Sequence, residues 1–173
     1  MNAGPAADIE RAEIDDRVGG GAMTSASCDE LVGTTVSTAA LTLTEAHLVA
    51  WASLTGDWLP IHTDREFAAR SGFGERVVHG PCTLAMTLGL STRTTLIDDE
   101  RTVAWLGLNE LRAVAPVMIG DTIRAQVTVA HARPSHQENQ HVVTLDYIVT
   151  NQRGEKVMTF SNVLLVADAP PGD

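Results

Sequence analysis

Cysteine is scarce in this chain of 173 residues: only Cys28 and Cys82 occur. Two thiols exclude a disulfide framework and a four-cysteine zinc site, and they point to a reducing, cytoplasmic compartment. Basic residues are also few, with 12 Lys plus Arg against 22 Asp plus Glu and a formal net charge of −10. That balance excludes a globally basic nucleic-acid footprint and a polybasic membrane-surface patch. No run approaches the roughly 18 apolar residues of a membrane span. The acidic N-terminus lacks the apolar stretch of a signal peptide. Neither nucleic acid nor membrane is expected as a partner.

What is present is an apolar content of 44% over a length that suits one domain and is too short for two. The acidic excess is unevenly spread. Residues 1–22 carry −3 and residues 168–173 carry −2, so the stretch 23–167 is only mildly acidic at −5. Small residues, alternating charges and Gly19-Gly20-Gly21 mark 1–27 as a disordered lead, with Met23 an alternative start. The stretch 28–167 is the expected domain, and 168–173 an expected disordered tail.

Within the domain the hydrophobic period changes midway. Thr34 to Leu43 alternates as a strand, then Thr44 caps a helix that stops near Gly56. A short helix fits Asp64 to Ser71. A third begins near Pro81, and Leu84, Leu88 and Leu90 predict that it is buried. From Thr102 onward four strands are expected, over 102–115, 121–133, 141–151 and 156–166. One strand, then helices, then four consecutive strands predicts an α+β domain, an antiparallel sheet packed on a buried helix.

The chemistry concentrates in Thr55-Gly56-Asp57-Trp58-Leu59-Pro60-Ile61-His62 and in Val77-Val78-His79-Gly80-Pro81. Asp57 and His62 lie five residues apart across a proline-containing turn that can aim both into one space. A carboxylate and an imidazole together can hold a water and move its proton. The Gly80 N–H, at the positive end of a helix, suits a developing oxyanion, whereas Pro81 has no N–H to offer. Each residue alone also has a plain structural reading: Asp57 as a turn residue, His62 and His79 as packed histidines, Cys82 as a core residue. The spacings of His131, His136 and His141 match no zinc pattern.

Trp51 through His62, followed by Ala68, resembles the signature of the MaoC-like, (R)-specific enoyl-CoA hydratases. That signature reads aromatic, spacer, Ser/Thr-Gly-Asp-x-Asn-Pro-apolar-His, five residues, then Ala or Ser. Val77-Val78-His79-Gly80 resembles the second block of the family. Leu106-Gly107-Leu108 with Arg112, and Pro116-Val117-Met118-Ile119-Gly120-Asp121, resemble its strand and following turn. The likeness extends over about 34–167.

The resemblance implies a single hotdog fold, an antiparallel sheet wrapped around a long central helix at about 80–95. It implies a homodimer or dimer of dimers with sites near the subunit interface, and no metal or other cofactor. The implied reaction is reversible hydration of trans-2-enoyl thioesters, on coenzyme A or acyl carrier protein, to (R)-3-hydroxyacyl thioesters. Asp57 and His62 would be catalytic and Gly80 the oxyanion donor, with Leu59, His79 and Arg93 as further substrate contacts. Leu59 stands where the family has Asn. Thr83 and Thr87 are candidates for a polar residue of the central helix, and Arg65, Arg70, Arg76 and Arg93 for contacts to coenzyme A phosphates. Two other readings are a hotdog acyl-CoA thioesterase and a non-catalytic acyl-CoA-binding or partner subunit.

Overall fold

The structure, a computed structural model, describes residues 26–97 and 99–168. Most of the expected lead and all but Asp168 of the expected tail therefore lie outside the described residues. The element order is β1 (Thr35–Ser37), β2 (Leu41–Thr42), α1 (Glu45–Thr55), α2 (Pro60–Thr63), α3 (Arg65–Ala69) and α4 (Gly80–Ser91). A 3-10 turn (Asp99–Arg101) then leads into β3 (Thr102–Ala113), β4 (Thr122–Pro134), β5 (Gln140–Thr150) and β6 (Lys156–Ala167).

The long strands pair antiparallel in the order β1-β4-β5-β6-β3, with β2 also on β4. Alternation decides which side faces the core. Ile123, Ala125, Val127 and Val129 of β4 are all buried, as are Val143, Leu145, Tyr147 and Val149 of β5. Register aligns Val127 with Tyr147 and Tyr147 with Phe160, and the last two rings stack with centroids 4.4 Å apart. The helix α4 lies on this face, burying Cys82, Thr83, Thr87 and Leu90. The architecture is α+β with an antiparallel sheet wrapped on a central helix, the hotdog arrangement.

Local chemistry corrects several expected boundaries. The single strand expected over Thr34–Leu43 is two, because the Thr38 hydroxyl accepts the Ala125 N–H at 3.0 Å and interrupts the backbone ladder. Helix α1 does start after Thr44, where His47 closes back on the Thr44 N–H at 3.0 Å in a capping box. It ends at Gly56, whose φ of 76° lets its N–H reach Ala52 O at 2.8 Å. Helix α4 starts one residue before Pro81 and ends at Ser91 instead of about 95. The Ser91, Thr92 and Thr94 hydroxyls bond back to Leu88 O, Gly89 O and Ser91 O, satisfying the last carbonyls.

Helix α4 is also less enclosed than its leucines suggest. Leu84 and Leu88 are half-buried, and Ala85 and Gly89 are exposed. Its buried side instead carries Thr83 and Thr87, whose hydroxyls donate to His79 O and Thr83 O on the preceding turn. Those internal bonds make two threonines tolerable in an apolar core.

Candidate active site

The site forms where α1 gives way to α2. After Gly56 the chain turns through Asp57, whose N–H donates to Thr55 Oγ1 and whose Oδ1 accepts the Leu59 N–H, both at 3.3 Å. Pro60 then opens the single turn of α2, which carries His62. The segment 77–79 runs alongside: Val77 N–H donates to Ile61 O, and Val78 N–H to Val117 O at 2.8 Å. Val77 O accepts from His62 Nδ1 at 2.8 Å. A carbonyl oxygen only accepts, so in the neutral ring Nδ1 carries the proton and Nε2 presents its lone pair.

His79 closes the arrangement. Fully buried, it donates from Nε2 to the main-chain Asp57 O at 3.0 Å and stacks on His62 with centroids 3.8 Å apart. Its Nδ1 is buried without a hydrogen-bond partner. The nearer carboxylate oxygen of Asp57 is 4.0 Å from His79 Nε2, and the Asp57 side chain keeps 34% of its surface exposed. One donor atom from each of Asp57, His62 and His79 falls within 4.8 Å of the others. That separation suits a single water held between carboxylate and imidazole, since two hydrogen bonds of about 2.8 Å meeting at an oxygen span roughly 4.5 Å.

Gly80 is the first residue of α4, immediately after His79. Its N–H lies in the first turn, where backbone donors have no intrahelical partner and the dipole is positive. The turn Pro116–Asp121 supports this end of the helix. Buried Asp121 accepts from Met118 N at 2.9 Å, Gln152 Nε2 at 2.6 Å and Arg153 at 3.3 Å. Burial pushes the Asp121 carboxyl up, but these donors and the Arg153 charge outweigh it and hold the group below its ordinary value.

The remaining sequence candidates are more dispersed. Leu59 is 58% exposed, and its backbone, not its side chain, braces Asp57. Arg76 is committed to a two-pronged ion pair with Glu45. Arg65 and Arg70 are exposed at the two ends of α3. Arg93 lies beyond the C-terminal end of α4, at the opposite end of the helix from Gly80.

Sequence reasoning missed two features. A cavity of about 350 Å³ lies against the C-terminal half of α4, lined by Leu88, Ser91, Trp105, Tyr147 and Asn162 among others. Its signal was Asn162, a polar residue in the core-facing series of Phe160 and Leu164. The second is Cys28 with His141 and Asp168, whose donor atoms also fall within 4.8 Å of one another. His141 Nδ1 bonds Asp168 at 2.6 Å, while buried Arg101 joins Ala26 O, Ala167 O and Cys28 Sγ. These bonds tie both ends of the described chain to the sheet. Among the described residues, no helix is long and apolar enough to cross a membrane.

Comparison with known proteins gives this geometry a family. The model of the MaoC like domain matches residues 27–152. The chain is 37% identical to Protein MaoC of Klebsiella aerogenes over 62% of its length and 31% of that protein. It is 30% identical to the (R)-specific enoyl-CoA hydratase of Aeromonas caviae over 66% of its length and 79% of that enzyme. A solved structure described as the monoamine oxidase regulatory protein of Archaeoglobus fulgius superposes with a TM-score of 0.75 at 34% identity, covering 80% of this chain and 92% of that one. The chain spans between about a third and just over half of the first curated relatives it matches. With the domain matched over most of its length and the fold shared, the chain belongs to the MaoC-like dehydratase family.

Proposed function

We propose that this protein catalyses the reversible hydration of trans-2-enoyl thioesters, of coenzyme A or acyl carrier protein, to (R)-3-hydroxyacyl thioesters. The observation that carries the reading is that Asp57 and His62 bring a carboxylate oxygen and a ring nitrogen within 4.8 Å of each other, with Gly80 heading the adjacent helix. The water oxygen bonds to C3, and the electron pair of the C2–C3 double bond moves through C2 towards the thioester oxygen. His62 Nε2, held with its lone pair outward by the Nδ1–H bond to Val77 O, and Asp57 take the water proton and supply one to C2. The Gly80 N–H stabilises the enolate oxygen, a donor of the kind whose loss costs about 2.7–4 kcal/mol in the barrier. No metal or redox cofactor enters these steps.

The acyl tail follows α4 in this reading. Gly80, Leu84, Leu88 and Ser91 recur on one stripe of the helix, which leads from the oxyanion donor to the cavity. A second copy of the chain completes the assembly by pairing along β3. That strand ends the sheet and exposes Val103, Trp105, Leu106 and Leu111. Trp105 also lines the cavity, so covering β3 would roof the tail site. Loss of the enoyl absorbance on addition of protein, abolished by Asp57→Asn and His62→Ala, tests the reaction. Release of free thiol without that loss would favour thioester hydrolysis.

A further inference from the structure

The cavity beside α4 has an apolar body and one polar corner, and the hydrogen atoms of that corner point in fixed directions. Trp105 Nε1 donates to Asn162 Oδ1 at 2.8 Å. The Tyr147 hydroxyl donates its hydrogen to Ser91 Oγ at 3.0 Å. Ser91 in turn donates to Leu88 O at 2.8 Å. With its own hydrogen given to Ser91, the Tyr147 oxygen can only accept from a further partner. Thr92 and Thr94, also in the lining, give their hydrogens to Gly89 O and Ser91 O.

The relay therefore leaves the Tyr147 and Ser91 oxygens with a lone pair each and no hydrogen to offer. Asp99 adds a carboxylate to the lining, and no Lys, Arg or His is among the lining residues. Such a corner accepts hydrogen bonds, lacks a positive charge, and sits inside an otherwise apolar wall of leucine, isoleucine and valine.

We infer that this cavity selects acyl tails carrying a hydroxyl group near their far end, over plain alkyl tails and over carboxylated ones. The inference rests on the proposed hydratase reading for what enters the cavity. A hydroxyl donates to the Tyr147 or Ser91 oxygen while its carbon chain contacts Leu88, Leu145 and Leu164. A carboxylate brings a second negative charge beside Asp99 and meets no cation in the lining. A plain alkyl tail fits the apolar wall but leaves the acceptor corner unused.

Binding of non-reacting saturated acyl-CoA probes tests this without depending on turnover. Ser91 lies about 16 Å along α4 from Gly80, so the probes carry tails of about twelve to fourteen carbons. At each length a plain tail is compared with the same tail bearing a terminal hydroxyl or a terminal carboxyl. The wild-type protein is expected to bind the hydroxylated probe about fivefold more tightly than the plain one, the worth of one added hydrogen bond, and the carboxylated probe more weakly than either. Tyr147→Phe, and separately Ser91→Ala, are each expected to reduce the ratio of hydroxylated to plain affinity towards one. Equal affinity for plain and hydroxylated tails, failure to bind any of the probes, or a preference unchanged in both variants would overturn the inference. Enoyl-CoA hydration by the same wild-type preparation reports on the proposed reaction separately, so each can fail alone.

Discussion

The His79 imidazole lies against that of His62 with ring centroids 3.8 Å apart, while its Nε2 donates to the main-chain carbonyl of Asp57 at 3.0 Å. One fully buried side chain thus touches both His62 and the Asp57 backbone, fixing the ring of one and the loop of the other. His79 acts as a positioning residue, because its own Nε2 is committed and its Nδ1 is closed off from solvent.

This arrangement separates two kinds of substitution at His79. His79→Phe keeps a ring against His62 but loses the bond to Asp57 O. It is expected to lower kcat about 100-fold with KM within about threefold, the signature of misplaced catalytic groups. His79→Gln, which retains a side-chain N–H, should recover part of that loss. Steady-state kinetics of both variants on an enoyl-CoA decide the matter; unchanged kcat in His79→Phe contradicts the role.

The support beneath the site is acid-sensitive. The Asp121 carboxyl titrates below its ordinary value in the folded protein, so its contribution is fully present above about pH 4 and is lost as pH falls through the folded value. Asp121→Ala strips the charged acceptor from Met118 N, Gln152 and Arg153 and is expected to cost about 2–3 kcal/mol near pH 7. Denaturant unfolding of both proteins at neutral and acid pH should show the difference shrinking as the carboxyl protonates.

Both thiols are free and buried in the folded protein. Burial pushes the Cys82 thiol up, and burial is also the largest effect on Cys28, where it exceeds the opposing influence of Arg101. Iodoacetamide at pH 8 is expected to label neither cysteine in the native protein and both in denaturant, read by mass spectrometry. Rapid native labelling of either would show that its segment opens.

The β3 edge makes the proposed assembly testable. Leu106 is 51% exposed midway along that strand. Light scattering is expected to find the protein as a dimer or a dimer of dimers, and Leu106→Lys to shift it towards monomer. A native chain that is monomeric at micromolar concentration contradicts pairing along β3.

The fold was largely legible in the sequence because its signals are local. Alternation in β4 and β5, the Thr44 cap and the Gly56 stop all stand in consecutive residues. Boundaries failed where side chains compete with the backbone, as at Thr38 and at the Ser91–Thr94 end of α4. The neighbourhood of Asp57 and His62 was legible through spacing across Pro60. His79 could be seen as a residue but not as the link between them, because its bond to Asp57 O spans 22 positions. The cavity was hidden for the same reason: Ser91, Trp105, Tyr147 and Asn162 meet only when four distant segments pack. Arg101 gave no signal, since only burial distinguishes it from an ordinary surface arginine.

The central claim is that Asp57 and His62 together activate a water against an enoyl thioester. Its most direct measurement is the rate of enoyl-band loss with a trans-2-enoyl-CoA for the native protein and for Asp57→Asn, which preserves shape and removes the charge. The account predicts steady hydration by the native chain and a fall of about a thousandfold in kcat/KM for the variant, with folding intact. Hydration at the native rate by Asp57→Asn, or acyl-CoA binding by the native chain without any turnover, would contradict it.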